Sequence, residues 1–492
     1  MTRARWDRLA LGLALLAVVA GALVAWGIFD ALPHLEDEFA NLWQAEVMAD
    51  GHLRLSSPPE APAFLVPFVV DHEGWRFGKY PPGWPAALSL GAVLGLTWLV
   101  NPLLGGLAVW LTYRLACRFL GPGGGLLTAA LVASSPIFLM QSGTLMSHNL
   151  SLTLGLALTL AWLDLFVAPG SPVPAWLLAA VAGASLGLLA ATRPLTAIGI
   201  GLPFAMHSLI LLRTSKARRW LALIGVTAAG IAALIPLWQY GLTGDPATNL
   251  YRLWWDYDRL GFGPGMGRSQ GGHSPTAALY NTGYGLWVGA HDAFGWPYLS
   301  WLFVPFGLWA LRRQRGAWLP LAVLPALVLT YAAYWVGAWL LGPRYYYEGL
   351  PGMALATAAG IVWLAQGAWP ARRRWAEPAV TGLVACLFVV NLALYLPARL
   401  GSLRGLYNIE RAEIEPIVRR DLGPSLIFVE SGHWTGYANL LPLAPPFADS
   451  RLRVAWSRGR EADLRVRALF DGYQVYRYDP ATPGVLILPP DG

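Results

Sequence analysis

Cysteine is almost absent from this chain of 492 residues. The two that occur, Cys117 and Cys386, both fall inside apolar stretches, so neither a disulfide framework nor a cysteine-based zinc site is available. Charge is scarce as well. Only 13% of residues are Asp, Glu, Lys or Arg, against 56% hydrophobic, which is more apolar surface than a soluble core of this length needs. No stretch repeats internally, and no pair of Gly/Pro-broken helices occupies matching positions in two halves, which counts against a transporter. The glycine-rich runs lack what nucleotide chemistry requires. Gly121-Pro122-Gly123-Gly124-Gly125 and Gly263-Pro264-Gly265-Met266-Gly267 have neither the Lys-Ser/Thr of a P-loop nor a strand-to-helix context, and are expected to be plain loops.

What is abundant is apolar sequence, in runs long enough to cross about 30 Å of hydrocarbon. The first, residues 9–29, exceeds a signal-peptide core and has no small-x-small cleavage site before Asp30, so it reads as an uncleaved helix. Basic residues fall between particular runs: Arg3, Arg5 and Arg8; Arg114 and Arg118; Arg213, Lys216, Arg218 and Arg219; Arg312, Arg313 and Arg315; Arg372, Arg373 and Arg374. Short loops rich in Arg and Lys stay in the cytoplasm. The net charge of +7 is placed in these loops, which argues against a nucleic-acid partner.

With the five clusters inside, the spans fall near 9–29, 100–117, 125–141, 150–168, 175–192, 194–212, 220–240, 297–311, 317–341, 349–367 and 378–397. The expectation is an all-α polytopic protein of the plasma (inner) membrane, with about eleven transmembrane helices and a cytoplasmic N-terminus. Residues 84–98 would reverse every later cluster if they crossed, so they are expected to lie along the outer surface or to be re-entrant. Three segments then face outward: 30–99, 241–296 and the tail from 398. The tail holds strand-like SLIFVE, LRVAW and YQVYRY and a helical stretch around Glu461–Phe470. It reads as a small extracytoplasmic α/β domain, 398–492, after a membrane domain, 1–397.

Candidate chemistry gathers in those outer segments. After the first span comes His34-Leu35-Glu36-Asp37-Glu38, then Phe39, Leu42, Trp43 and Val47 at helical spacing, so a short amphipathic helix begins near Asp37. Two readings fit: Asp37 caps that helix and Glu38 complements its dipole, or the carboxylate takes a proton from an attacking group. Lys79 stands before a rigid corner, Tyr80-Pro81-Pro82-Gly83, either snorkelling beside Trp75 and Trp84 or holding a phosphate. In Gly342-Pro343-Arg344-Tyr345-Tyr346-Tyr347-Glu348, the tyrosines suit an aromatic belt and Arg344 pairs with Glu348, with head groups or with a phosphodiester. Arg193, before Pro194, is a similar outer-end cation. His148 lies at an outer helix end. His273 shares its loop with Asp245, Asp256, Asp258 and His291, a set whose spacing matches no metal-ligand pattern, and no metal site is assigned.

Together these clusters resemble the GT-C superfamily of polyprenyl-phosphate-dependent glycosyltransferases, in particular the protein O-mannosyltransferase and aminoarabinose transferase branch, over roughly residues 1–400. The family's Asp-Glu pair after the first span matches Asp37-Glu38, and its Lys-Pro-Pro motif is similar to Lys79-Tyr80-Pro81-Pro82, with one residue inserted. The resemblance implies that Asp37 is the catalytic base and that Lys79 and Arg344 hold the lipid phosphate; Glu38 is the neighbouring catalytic candidate, and Arg193 joins the phosphate ligands as a cation at an outer helix end. It also implies a polyprenyl-phosphate sugar donor and a glycan, lipid or protein acceptor. The chain departs from the family at Ser147-His148-Asn149, where relatives often carry an acid, which marks a divergent bacterial member. His148 and His273 are candidate sugar or acceptor contacts. The motifs name no cofactor and require no divalent cation, while leaving room for one. A transporter or flippase of a lipid-linked saccharide is the alternative. The near absence of ionisable residues at mid-depth between residues 100 and 240 weighs against it.

Overall fold

The computed structural model describes residues 2–168, 171–337, 340–366, 373–420, 422–447, 450–482 and 484–487. Among them, eight helices are long and apolar enough to cross a membrane, and the chain is a multi-pass membrane protein. The first, α1 (Arg3–Gly27), leads to a loop-rich end of the bundle. There α2 (Glu36–Ala49), α3 (Gly83–Val93) and a small antiparallel sheet assemble. The sheet has β1 (Leu55–Ser56), β2 (Val69–His72) and β3 (Trp75–Gly78) in the order β1-β3-β2. The 11 residues of α3 rise about 16 Å, half of what a crossing needs, as the charge pattern anticipated for residues 84–98.

α4 (Thr97–Ala133) is two helices folded back on each other. Gly121 has φ 69° and ψ −179°, outside the helical region, and Pro122 restarts the helix. Gly125 then packs so closely on the first limb that a Cβ would lie 3.1 Å from the Tyr113 carbonyl oxygen. The glycine run expected to be a plain loop is the tip of a helical hairpin. α5 (Pro136–Gly143) follows, then α6 (His148–Trp162), which continues as a π-helical turn to Val167. α7 (Ala175–Thr192), α8 (Pro194–Leu211), α9 (Ser215–Ala232) and α10 (Leu234–Thr243) complete the first half.

Residues 241–296, expected to be loop, contain α11 (Leu250–Trp254) and the 18-residue α12 (Pro275–Asp292). The expected spans 297–311 and 317–341 are helical only over α13 (Val304–Leu311) and α14 (Trp318–Tyr331). α13 begins only after left-handed Gly295 and Tyr298, and α14 stops at Tyr331 although the apolar sequence runs on. The expectation of about eleven spans thus meets eight helices of sufficient length among the described residues, with α4 counted once. α15 (Leu350–Ala365) and α16 (Arg373–Val390), continuing into α17 (Leu396–Gly401), close the bundle.

The first four basic clusters meet at one end. Tyr113 donates to Asp7 over 2.7 Å and Gln314 to the Phe119 carbonyl over 3.2 Å. Trp162 donates to His207, whose ring meets Trp318. Arg372 lies outside the described residues, as do the side chains of Arg373 and Arg374.

Beyond α17 come α18 (Arg411–Val418) and α19 (Trp434–Ala438), then a four-stranded sheet with α20 (Arg460–Arg467). β4 (Ser425–Val429) runs parallel to β5 (Leu452–Trp456) and β6 (Gln474–Tyr478), and β7 (Leu486–Ile487) is antiparallel to β6. All three strand-like runs of the tail are strands, and α20 falls in its helical stretch. Every residue of β4 is buried, because both faces are covered. Leu426 and Phe428 pack on Val466 of α20 and on Phe64, while Ile427 and Val429 pack with Phe39, Trp43 and Val47 of α2 and with Phe68. The sheet shares its core with the segment that follows α1.

Helices within the bundle approach closely at small residues. A Cβ on Gly187 of α7 would lie 2.8 Å from the Ala228 carbonyl oxygen of α9, whereas one on Gly230 would meet nothing within 4 Å. Gly187→Ala is therefore expected to lower the thermal midpoint in detergent, through overpacking worth about 1–3 kcal/mol. Gly230→Ala should hold or raise it. Equal midpoints for the two variants would contradict this packing.

Candidate active site

α2 starts at Leu35, which has no side chain able to cap. Glu38 does that work. Its Oε2 accepts from the His34 and Leu35 amides, each at 3.0 Å, and its Oε1 accepts from the Leu145 amide at 2.6 Å. The side chain is buried and ties the helix start to the α5–α6 connection. The capping expected of Asp37 thus falls to Glu38, which points away from the loop-end cavity. Asp37, 23% exposed, faces that cavity. Tyr80 donates to its Oδ1 over 2.5 Å, and Arg344 Nη2 stands 3.6 Å from its Oδ2.

Lys79 leaves β3 with its amide bonded to the Phe68 carbonyl, and the two prolines that follow hold the corner rigid. Its ammonium is 3% exposed and sits 3.5 Å over the Phe68 ring, with Trp255 at 4.9 Å and Tyr80 and Tyr251 each at 5.5 Å. Asp258 Oδ2 is 3.6 Å away. Burial pushes the ammonium below the ordinary lysine range, and the Asp258 carboxylate opposes that shift. Burial likewise raises the Glu36 carboxyl and holds Tyr80 as a hydroxyl donor.

Arg193 is extended between α7 and α8, because the residue before a proline avoids the helical region. It donates to Glu348 and, over 3.3 Å, to Tyr331. Arg344 opens a 3₁₀ turn, Arg344–Gly349, in which Tyr345 stacks on Tyr331 at 4.4 Å and Tyr347 donates to Asn149 over 2.6 Å. The tyrosines expected at an aromatic belt pack inward at the first and third positions. Arg344 pairs with Asp37, leaving Glu348 to Arg193.

These groups line one cavity of about 790 Å³. Asp37, Lys79, His148, Arg193 and Arg344 all reach its wall, from segments separated by up to three hundred residues in sequence. Glu36, Tyr80, Asp258, Arg268 and Tyr334 join them. Both ring nitrogens of His148 are buried without a hydrogen-bond partner among the described residues. His273 is elsewhere: its Nε2 meets the Ala332 carbonyl at 3.0 Å and its ring stacks on Phe262, so it fastens the loop. The acids of that loop also separate, with Asp245 bonding to its own turn, Asp256 pairing with Arg252 and Arg259, and Asp258 with Lys79. His291 meets Tyr298 edge to face. No group of three or more His, Cys, Asp or Glu residues able to hold a metal occurs among the described residues.

Tyr80 was legible as the residue inserted in Lys-Pro-Pro. The Lys79–Asp258 pair spans 179 positions and carries no local signal.

No family model and no curated protein matches the chain. Solved structures do. ArnT from Cupriavidus metallidurans bound to undecaprenyl phosphate superposes with a TM-score of 0.61 at 14% identity, covering 95% of this chain and 88% of that one. The chain shares that protein's fold. The archaeal oligosaccharyltransferase AglB from Archaeoglobus fulgidus, in complex with an inhibitory peptide and a dolichol-phosphate, gives 0.50 at 13% identity. That match covers 87% of this chain and 63% of AglB. At these identities the likeness is one of fold.

The Glu38 clamp has a measurable consequence. Glu38→Gln turns an NH₂ towards at least one of the three backbone donors, which is expected to cost about 1–3 kcal/mol. Thermal unfolding in detergent should show a lowered midpoint, and an unchanged midpoint would remove the clamp.

Proposed function

We propose that the chain is a membrane glycosyltransferase that moves a sugar from a polyprenyl-phosphate carrier to an acceptor hydroxyl or amine on the outer face of the membrane. The observation that carries this reading is the convergence of Asp37, Lys79, Arg193 and Arg344 on one cavity at the loop-rich end of a GT-C fold. The first four basic clusters lie at the opposite end, which supports a cytoplasmic N-terminus and outward-facing loops. The tail, 398–492, is then extracytoplasmic and follows the membrane domain, 1–397.

In this mechanism an acceptor oxygen or nitrogen attacks the sugar C1 as the C1–O bond to phosphate breaks. The acceptor proton passes to the Asp37 carboxylate, and the lipid phosphate leaves with the bonding electrons towards Lys79 and Arg344. A single displacement inverts C1. Positioning and charge stabilisation do the work, since a phosphate leaving group needs cations more than a covalent helper. The pairs Asp37–Arg344 and Lys79–Asp258 keep these groups in place before the carrier arrives.

Two measurements test the reading. Lys79→Met and Arg344→Gln each remove a charged contact worth about 1.5–3 kcal/mol, so affinity for sugar-free undecaprenyl phosphate should fall about 10–100-fold. Unchanged affinity in both would take them out of the site. Asp37→Asn keeps the shape and can still accept from Tyr80, but takes up no proton, so transfer should fall by about 10²–10⁴ while the thermal midpoint holds. Transfer retained above about a tenth of wild type would overturn the assignment of the base.

A further inference from the structure

Resting on that reading of Lys79, we propose that Asp258 is a positioning residue for it, holding the charge and aim of the ammonium at the cavity wall and drawing residues 255–268 over the cavity. The resemblance that pointed to Lys79 gives Asp258 no role, and the spacing of the loop's acids assigned it none.

The geometry is that of a built pair. Both side chains are buried, at 3% and 2% exposure, with Nζ 3.6 Å from Oδ2. The other carboxylate oxygen accepts from the Tyr334 hydroxyl at 2.9 Å and from the Trp335 indole at 3.2 Å, which fixes the carboxylate plane. Oδ2 has no hydrogen-bond partner in the described residues and is turned to the ammonium alone. Removing one member of a buried pair leaves an uncompensated charge, and a lysine in that position gives up its proton. A neutral amine would be a poor ligand for phosphate. The pair also spans the site, because Lys79 belongs to the β3–α3 corner and Asp258 to the segment after α11. That segment is fastened to the stretch after α14 by the Gly261 amide on the Ala333 carbonyl.

The charged and titratable groups facing Nζ come from every side. Asp258 is the largest favourable one, followed by Asp37 and Glu36 of α2. Tyr80 and Tyr251 contribute ring faces, and Arg268 lies beyond Trp255, 4.9 Å over that ring. Asp37 and Glu36 remain when Asp258 is neutralised, so the ammonium loses part of its support.

The chain makes a direct test practical, since it has only two lysines, Lys79 and Lys216. Lys216→Arg with ¹³Cε-lysine labelling leaves one resonance, whose titration in detergent reports Lys79 and needs neither donor nor acceptor. Asp258→Asn in this background should lower the midpoint by about 1–3 units, the range for an opposite charge at this distance. Asp258→Glu should bring it back to within half a unit. An unchanged midpoint in Asp258→Asn would overturn the proposal, because a residue with a role in folding alone leaves the lysine midpoint where it was. Undecaprenyl phosphate binding is measured alongside: Asp258→Asn should weaken it at pH values above the variant's own lysine midpoint and recover it below that midpoint. If the wild-type protein does not bind that lipid at any pH, the functional reading fails and the titration still decides the pairing. If Asp258→Asn does not fold, the double variant Lys79→Met/Asp258→Asn should, since it removes both charges. A double variant no more stable than the single one would contradict the pairing.

Discussion

Charge at the edge of hydrocarbon has to be neutralised, and the loop-rich end of this protein is organised around that constraint. Each of the three cations called on by the proposed chemistry has its own carboxylate: Arg344 has Asp37, Lys79 has Asp258 and Arg193 has Glu348. The carboxylates come from different segments from their cations, so every pair is also a tertiary tie. Through these three ties the juxtamembrane helix, the β3–α3 corner, the α7–α8 break, the segment after α11 and the 3₁₀ turn at Arg344 are gathered around one cavity. Aromatic rings fill the spaces between the pairs. They shield the charges from competing water while offering faces to the cations.

Legibility followed the reach of each interaction along the chain. Apolar runs, prolines and one-sided Arg and Lys are local signals, and they marked α1, α3, α6 to α9, α15 and α16 together with the strands of the tail. Hydropathy could not see where an apolar stretch stops being a helix. It therefore overextended residues 297–311 and 317–341, whose helices begin after left-handed Tyr298 and end at Tyr331. α12 escaped notice for the opposite reason: its polar and aromatic content resembles loop while its dihedrals are regular.

The same division runs through the site. Lys79, Arg193 and Arg344 stood out as charges beside a rigid proline, and Asp37 as one of three acids at a helix start. Their partners were not legible, since pairing across 155 or more positions leaves no trace in spacing. The division of labour between neighbours was also hidden. Asp37 and Glu38 differ by one methylene and one position, yet a 100° turn of helix sends one to the cavity and the other to three backbone amides.

The core shared between the tail sheet and α2 has a consequence in time. His34 reaches the Ile409 carbonyl across 375 positions, and the apolar face of α2 is completed by Ile427, Val429 and Tyr437. On a ribosome the membrane helices emerge and insert long before those strands exist. Until they arrive, Phe39 and Trp43 have only Val66, Phe68 and Val69 of the neighbouring loop to pack on, and the helix bearing Asp37 lacks the rest of its cover. The α2 wall of the cavity is thus backed by the tail, and the placement of Asp37 depends on a segment made after the membrane helices.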